Sequence, residues 1–366
     1  MKNKEGWDGK MRVEPKAVVT NPEALEDSDY SDPEAPPVEE IDADEGGLLM
    51  RVALLRISTL SIVAYLRSQL CGWNDSIISK KHAGLRQWAD DGLQRLFLRQ
   101  NQISRIEFPS NVAATLKELD LYDNLISHVK GFDEFHDLTS LDLSFNKIKH
   151  IKNVSHLVHL TELFFVQNKI SRIEGLEGLT KLRSLELGAN RIREIENLDS
   201  LAALEELWLA KNKITEMKNL DALSNLRIIS IQSNRLTSLN GLSALPNLEE
   251  LYLSHNAITE LSGLESNTTL RVLDFSNNQV SHLSHLSTLK NLEDVWASNN
   301  QLASFEEIER ELKDKEALET VYFEGNPLQT NGPAVYRNKV RLALPQITKI
   351  DASKCSRVWS SHLKGS

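Results

Sequence analysis

Between residues 93 and 326 the apolar positions fall into one arrangement, written again and again. Two leucines, or close substitutes, flank a single variable residue. Another apolar residue stands three places before them and an asparagine three places after. LDLSFNKIKHI at 141–151 is followed by LFFVQNKISRI at 163–173, LELGANRIREI at 185–195 and LWLAKNKITEM at 207–217. The paired positions begin at 96, 119, 141, 163, 185, 207, 229, 251, 273, 295 and 321. Eight successive intervals are therefore 22 residues, with one of 23 before them and one of 26 after. Alternation of apolar, variable and apolar is the signature of a short strand with one buried face. A unit of this size cannot bury its apolar face alone, so its neighbours must cover it.

This is the leucine-rich repeat pattern, and it predicts an α/β repeat solenoid: a horseshoe whose strands form a parallel sheet on the concave side. The asparagines at Asn101, Asn124, Asn146, Asn168, Asn190, Asn212, Asn234, Asn256, Asn278, Asn300 and Asn326 fall where the chain turns away from each strand. A buried amide there satisfies backbone groups of its own and adjacent turns, so these residues read as a structural ladder. Apolar pairs such as Ile103/Ile106 and Ile126/Val129 follow each asparagine, and then comes a Gly-Leu or Asn-Leu step such as Gly175-Leu176. With 22 residues per coil, the convex wall has room for a turn of 3₁₀ or a very short helix. ASFEEIEREL near the C-terminal end carries a longer, helical outer segment. Beyond the last asparagine a helix is expected to set Tyr336, Val340, Leu342 and Leu344 over the open final coil, with Ile347 and Ile350 following.

The resulting division is an acidic disordered tail at 1–48, an irregular N-terminal cap or insertion at 49–92, and eleven repeats at 93–326. A C-terminal cap at 327–352 and a tail at 353–366 complete it. ISTL at 57–60 resembles the apolar pair after the asparagine, whereas 70–91 shows no clean repeat. The formal charge of -10 is concentrated in the tail, where residues 1–46 hold 14 acids against five bases. Such a composition cannot bury enough apolar surface to offset its ordering entropy. Cys71 and Cys355 form no framework and suggest a reducing compartment. The start shows no secretory signal, and Arg51, Arg56 and Arg67 interrupt the most apolar stretch, so no membrane span is expected. GxGxxG, GxxxxGK[ST] and HExxH are all missing from the sequence. The paired histidines His156/His159 and His282/His285 read as surface residues. No catalytic residue, metal site or cofactor is expected, and the chain does not read as an enzyme.

The variable residue between the paired leucines carries the functional information. Its column runs Phe97, Asp120, Asp142, Phe164, Glu186, Trp208, Ser230, Tyr252, Asp274, Trp296 and Tyr322, six of them aromatic in a chain that is 6% aromatic. Two residues earlier stand Glu118, Glu162, Glu206, Glu250 and Asp294. Across three columns of the strand face there are ten acids against two bases, Arg95 and Arg99. An aromatic ladder rimmed by one sign of charge marks an interface for a protein partner bearing Lys and Arg. The acidity disfavours nucleic acid. Eleven strands give an inner arc of roughly 50 Å, and a folded partner of about 300 residues would fill it.

The strings LRQNQI, ELDLYDN, LDLSFN, LELGANRI, NLDALSNL, QSNRL, LYLSHNAI, LETVYFEGNPLQ and LALPQITKIDA resemble the leucine-rich repeat regulatory subunit of protein phosphatase 1, the regulatory subunit 7 family. The likeness runs over about residues 93–352. It implies a non-catalytic regulator of the catalytic subunit of this Ser/Thr phosphatase, acting in its activity, maturation or targeting in mitosis, in the nucleus and cytoplasm. It also implies a further phosphatase inhibitor as a third member of a ternary complex. The family's gripping positions match Asp142, Phe164, Glu186, Trp208, Asp274, Asp294, Trp296 and Tyr322, with Trp208 and Asp294 replacing Phe and Glu, and Tyr252 joins them from the aromatic column. The 70–91 stretch has no counterpart in the family. RIEF at 105–108 spells the phosphatase-docking RVxF pattern, but Ile106 is a core position of its repeat. The alternative reading is a leucine-rich repeat scaffold or adaptor for another client, which would be expected to lack this ladder and these strings.

Overall fold

A computed structural model describes residues 49–51 and 93–354 apart from Pro109. The acidic segment 1–48, ISTL at 57–60, the 70–91 stretch, both cysteines and the tail beyond 354 lie outside the described residues. Each repeat contributes three residues of strand. Strands β1 (Leu49–Arg51), β2 (Arg95–Phe97), β3 (Glu118–Asp120), β4 (Ser140–Asp142), β5 (Glu162–Phe164), β6 (Ser184–Glu186) and β7 (Glu206–Trp208) form the first half of one sheet. It continues through β8 (Ile228–Ser230), β9 (Glu250–Tyr252), β10 (Val272–Asp274), β11 (Asp294–Trp296), β12 (Thr320–Tyr322), β13 (Lys349–Ile350) and β14 (Ser353–Lys354). Spatial order equals chain order throughout, and every pairing is parallel except the terminal β13–β14 hairpin. The sheet thus reaches beyond the eleven repeats at both ends, through β1 and β13.

Parallel strands in identical register place equivalent residues of successive repeats side by side. Leu185 pairs with Leu207, and Glu186 with Trp208. The central residue of each strand points inward, and these leucines join the isoleucines that follow each asparagine in one continuous core. The outer wall is a chain of isolated turns. Leu157 N–H donates to Val154 O at 2.9 Å and Leu160 N–H to Leu157 O at 3.0 Å, single i→i+3 turns of the 3₁₀ kind that do not join into a helix.

The asparagines bind two coils at a time. Asn190 Nδ2 donates to Leu187 O and Gly188 O in its own turn at 3.0 and 3.1 Å, and to Phe165 O of the preceding coil at 2.8 Å. Its Oδ1 accepts the Ile170 N–H at 2.9 Å. The same set recurs at Asn168 and Asn212. The residue before each of the first ten asparagines sits in the left-handed region, φ between 53° and 57° from Gln100 to Asn299, although none is glycine. The Gly-Leu or Asn-Leu step has the same origin, since Gly131, Asn153, Gly175, Asn197 and Asn219 all have positive φ. Glycine and asparagine tolerate that region best. Where asparagine is used it adds a bond, as from Asn153 Nδ2 to Val129 O at 2.7 Å. At Gly131 a Cβ would stand 2.1 Å from Ile106 O.

Four helices complete the chain: α1 (Ser110–Ala113), α2 (Phe305–Leu312), α3 (Pro327–Thr330) and α4 (Pro333–Ala343). Helix α2 is the extended outer segment of the last full interval. Ser304 caps it by accepting the Glu307 N–H at 3.2 Å, and Ile308 and Leu312 face the core. Helix α4 buries Tyr336 and Val340, and Leu344, Ile347 and Ile350 are buried beyond it. Leu342 departs from expectation: it is 79% exposed. Two residues past Val340 is 200° around a helix, so Leu342 looks outward while Ala343 packs inward. The cap ends in Asp351, whose Oδ1 accepts the N–H groups of Phe323 and Glu324 at 3.0 and 3.2 Å and the Tyr336 hydroxyl at 3.1 Å. RIEF is part of the core: Ile106 is buried and Phe108 packs edge-on against Phe135 at 5.6 Å.

Candidate protein-binding face

The flanking residues of each strand form the open face of the sheet, one column on either side of the buried central residue. Parallel strands lie about 4.8 Å apart, so side chains two strands apart would stand about 9.6 Å apart if upright. The rings of Trp208 and Tyr252 are 6.5 Å apart and stacked at 19°, those of Tyr252 and Trp296 6.1 Å apart. Trp296 then meets Tyr322 on the adjacent strand at 6.1 Å, edge to face. These rings lean together across the strands between them and make one continuous aromatic run over β7–β12.

The residues in between are covered. The sequence pattern treats the whole column as displayed, but Ser230 under Trp208 and Tyr252 is 2% exposed, and Asp274 under Tyr252 and Trp296 is 4% exposed. Glu186, between Phe164 and Trp208, is 5% exposed, as is Asp120. Large side chains close over small ones in an alternating column. Phe164, Trp208, Tyr252, Trp296 and Tyr322 remain accessible, along with Asp142 and Asp294.

Burial divides the acids into two kinds. Asp120, Asp142 and Asp274 each accept the backbone N–H two residues on, from Tyr122, Ser144 and Ser276, at 3.0, 2.8 and 2.9 Å. These carboxylates hold the end of the strand as well as lining the face. Asp142 is nonetheless pushed up to about 6, first by burial and then by Asp120. Asp274 is raised by burial, against its bonds to Ser276 and to Gln232 Nε2 at 3.2 Å. Glu186 accepts no hydrogen bond from the described residues. Burial, reinforced by Asp142, Glu206 and Glu162, pushes its carboxyl up to about 8.

The second acidic column is oriented from within the face. Ser140 and Ser184 hydroxyls donate to Glu162 and Glu206 at 3.1 and 3.2 Å. Tyr252 OH donates to Glu250 at 2.7 Å, and Trp208 Nε1 reaches Glu206 at 3.4 Å. The equivalent neighbour of Trp296 is Asp294, one methylene shorter, and the buried Trp296 Nε1 has no partner. The two bases of the face are neutralised in place, Arg95 by Glu118 at 3.0 Å and Arg99 by Asp120. Arg99 also lies over the Tyr122 ring at 5.4 Å, and Tyr122 packs on Phe145 at 4.7 Å. This small aromatic site at the β3–β4 end escaped the sequence reading because its residues belong to two columns outside the variable one. Among the described residues no cluster of three or more His, Cys, Asp and Glu is placed to hold a metal ion. No helix among them is long and apolar enough to cross a membrane.

The comparisons agree with this architecture. The model for leucine-rich repeats in two copies matches in overlapping windows from 158–200 to 268–310, and a single-repeat model matches 136–149. An internalin, InlF, of Listeria monocytogenes aligns with a TM-score of 0.58 at 24% identity, over 72% of this chain and 81% of its own. A leucine-rich repeat protein of Leptospira interrogans aligns with a TM-score of 0.57 at 26% identity, over 71% and 72%. Fold and repeat together define the chain as a leucine-rich repeat protein. Within that class its similarity runs to the SDS22 regulatory subunits of protein phosphatase 1. The Schizosaccharomyces pombe subunit is 69% identical over 51 residues, 14% of this chain and 15% of the relative. The Saccharomyces cerevisiae subunit is 49% identical over 67 residues, 18% and 20%. The aligned stretches thus span a fifth or less of each of these curated relatives.

Proposed function

We propose that this chain is a non-catalytic regulatory subunit that binds the catalytic subunit of Ser/Thr protein phosphatase 1 on its strand face. The observation that carries the reading is the aromatic run Trp208–Tyr252–Trp296–Tyr322, bordered by Glu206, Glu250 and Asp294. Stacked Trp and Tyr rings on a rigid sheet lose little entropy on docking and are typical binding hot spots. The acids beside them favour a partner surface rich in Lys and Arg and set register and association rate. The regulatory-subunit names of the SDS22 relatives support the choice of partner. Control of phosphatase maturation or mitotic targeting, assembly with a further phosphatase inhibitor, and residence in nucleus and cytoplasm belong to the same proposal.

The test is calorimetric titration of the full chain, and of a Trp208→Ala/Trp296→Ala double variant, with the phosphatase catalytic subunit. Each ring is expected to contribute about 2 kcal/mol or more to binding. Unchanged affinity in a folded double variant would move the site off this face. Absence of binding by the parent chain would leave a scaffold for another client.

A further inference from the structure

A second charged column lies outside the strand face. The residue after each ladder asparagine is Lys147, Lys169, Arg191, Lys213 and Arg235 in five successive repeats. Each is fixed by the same coil-to-coil bond, for example Lys169 N–H to Ile148 O at 2.8 Å and Arg191 N–H to Ile170 O at 2.7 Å. The five cations therefore stack in register, one per coil, over about 19 Å at the strand spacing. Four are exposed and Lys213 is half-buried.

None of the five makes a side-chain hydrogen bond or ion pair among the described residues. The edge just before the strands behaves differently. There the charge alternates in sign from repeat to repeat, and the residues pair: Arg183 with Glu205 at 2.6 Å, Arg227 with Glu249 at 2.8 Å, Arg271 with Glu293 at 2.7 Å. The solenoid thus neutralises one charged edge internally and leaves the other with one sign. The fold does not require cations here, because Gln102, Leu125, Ala257, Gln279 and Gln301 hold the same position in other repeats. Like charges about 5 Å apart repel, so the column disfavours folding unless something neutralises it. A shallow depression of about 230 Å³ adjoins its C-terminal end, lined by Arg193, Lys213 and Arg235. The acids in that depression, Glu194 and Glu216, are already engaged by Lys218 at 3.3 and 3.7 Å.

We infer that this column is a docking strip for an extended acidic peptide of a protein partner, separate from the aromatic face. Carboxylates on one side of an extended chain recur about every 6.6 Å, so roughly four of them lie along 19 Å of strip. A strip one side chain wide, on a chain of net charge -10, suits a single peptide better than a nucleic acid backbone.

Fluorescence anisotropy tests the inference, with the full chain and a labelled ten-residue peptide of alternating Glu and Asp at low salt. The probe should bind with an affinity that falls steeply as salt rises. A Lys169→Glu/Arg191→Glu/Lys213→Glu variant should bind roughly tenfold or more weakly, whereas Arg183→Ala/Arg227→Ala on the paired edge should bind nearly as the parent. The Trp208→Ala/Trp296→Ala variant should bind the probe normally, so failure of the phosphatase proposal and failure of this one are distinguishable. Circular dichroism establishes that each variant is folded. Undiminished binding by the folded charge-reversed variant overturns the inference. So does tighter binding of a ten-nucleotide deoxythymidine strand than of the peptide, which would reassign the strip to nucleic acid.

Discussion

Replacing Asn190 by alanine removes four hydrogen bonds from a side chain only 8% exposed, but they are not equivalent. The three carbonyls it serves each keep another donor. Phe165 O retains Asn168 Nδ2 at 3.2 Å, Leu187 O retains Asn212 Nδ2 at 2.9 Å, and Gly188 O retains the Gln167 N–H at 2.9 Å. The Ile170 N–H loses its acceptor and has no water to replace it. One buried orphan donor costs about 2 kcal/mol, and three partly redundant bonds about 0.5 kcal/mol each, so the substitution should destabilise by about 3–4 kcal/mol. With an assumed urea slope of about 3 kcal/mol/M, the midpoint should fall by roughly 1.2 M. Asn225→Ala is the control: its exposed amide also bonds across coils, to Ala202 O at 2.9 Å, yet its loss should cost only about 0.5 kcal/mol. Urea denaturation of both variants, followed by circular dichroism, gives the comparison. Equal and small effects would refute the idea that the ladder acts by satisfying otherwise stranded backbone donors.

Two further outcomes follow from the strand face. Glu186 sits near 8 when folded against an ordinary value of 4.5, so between those pH values the folded chain keeps a proton that the unfolded chain has released. Its contribution to stability is therefore fully present below about 4.5 and lost as pH rises through 8, with a slope of up to about 1.4 kcal/mol per pH unit. Asp142 acts the same way below about 6, so the interval from pH 6 to 8 isolates Glu186. Glu186→Gln should flatten the urea-derived stability profile there, and a variant with the parent's slope would exclude the assignment. Asp294→Glu supplies the missing methylene beside Trp296 and should raise stability by roughly 1 kcal/mol as Nε1 gains an acceptor. A lower melting temperature in that variant would count against it.

Much of the architecture is legible in the sequence because the repeat is a local rule. Paired leucines give the strands, the asparagine gives the turn, and the Gly-or-Asn step reports a left-handed backbone position. What escapes is whatever depends on side-chain size across repeats. The burial of Glu186 and Asp274 follows from aromatic neighbours one strand away on either side, which no single repeat encodes. Leu342 was misassigned because an apolar residue near a helix end fits a cap by composition, and only the angle from Val340 excludes it. Asp351 takes over backbone donors at the end of the array although it lies outside the repeat frame, so no periodic signal marks it. The strip from Lys147 to Arg235 is visible in the aligned sequence, but its lack of counter-charges requires the structure.

The strict identity of chain order and spatial order has a kinetic consequence. Every strand meets a partner about 22 residues away, whatever the length of the array. Each added coil closes a loop of the same size, for roughly 2.7 kcal/mol of entropy plus a constant. Growth of the native structure is then a series of equal short steps from wherever two coils first pair. Lengthening such a protein extends its reach without slowing any individual step of its assembly.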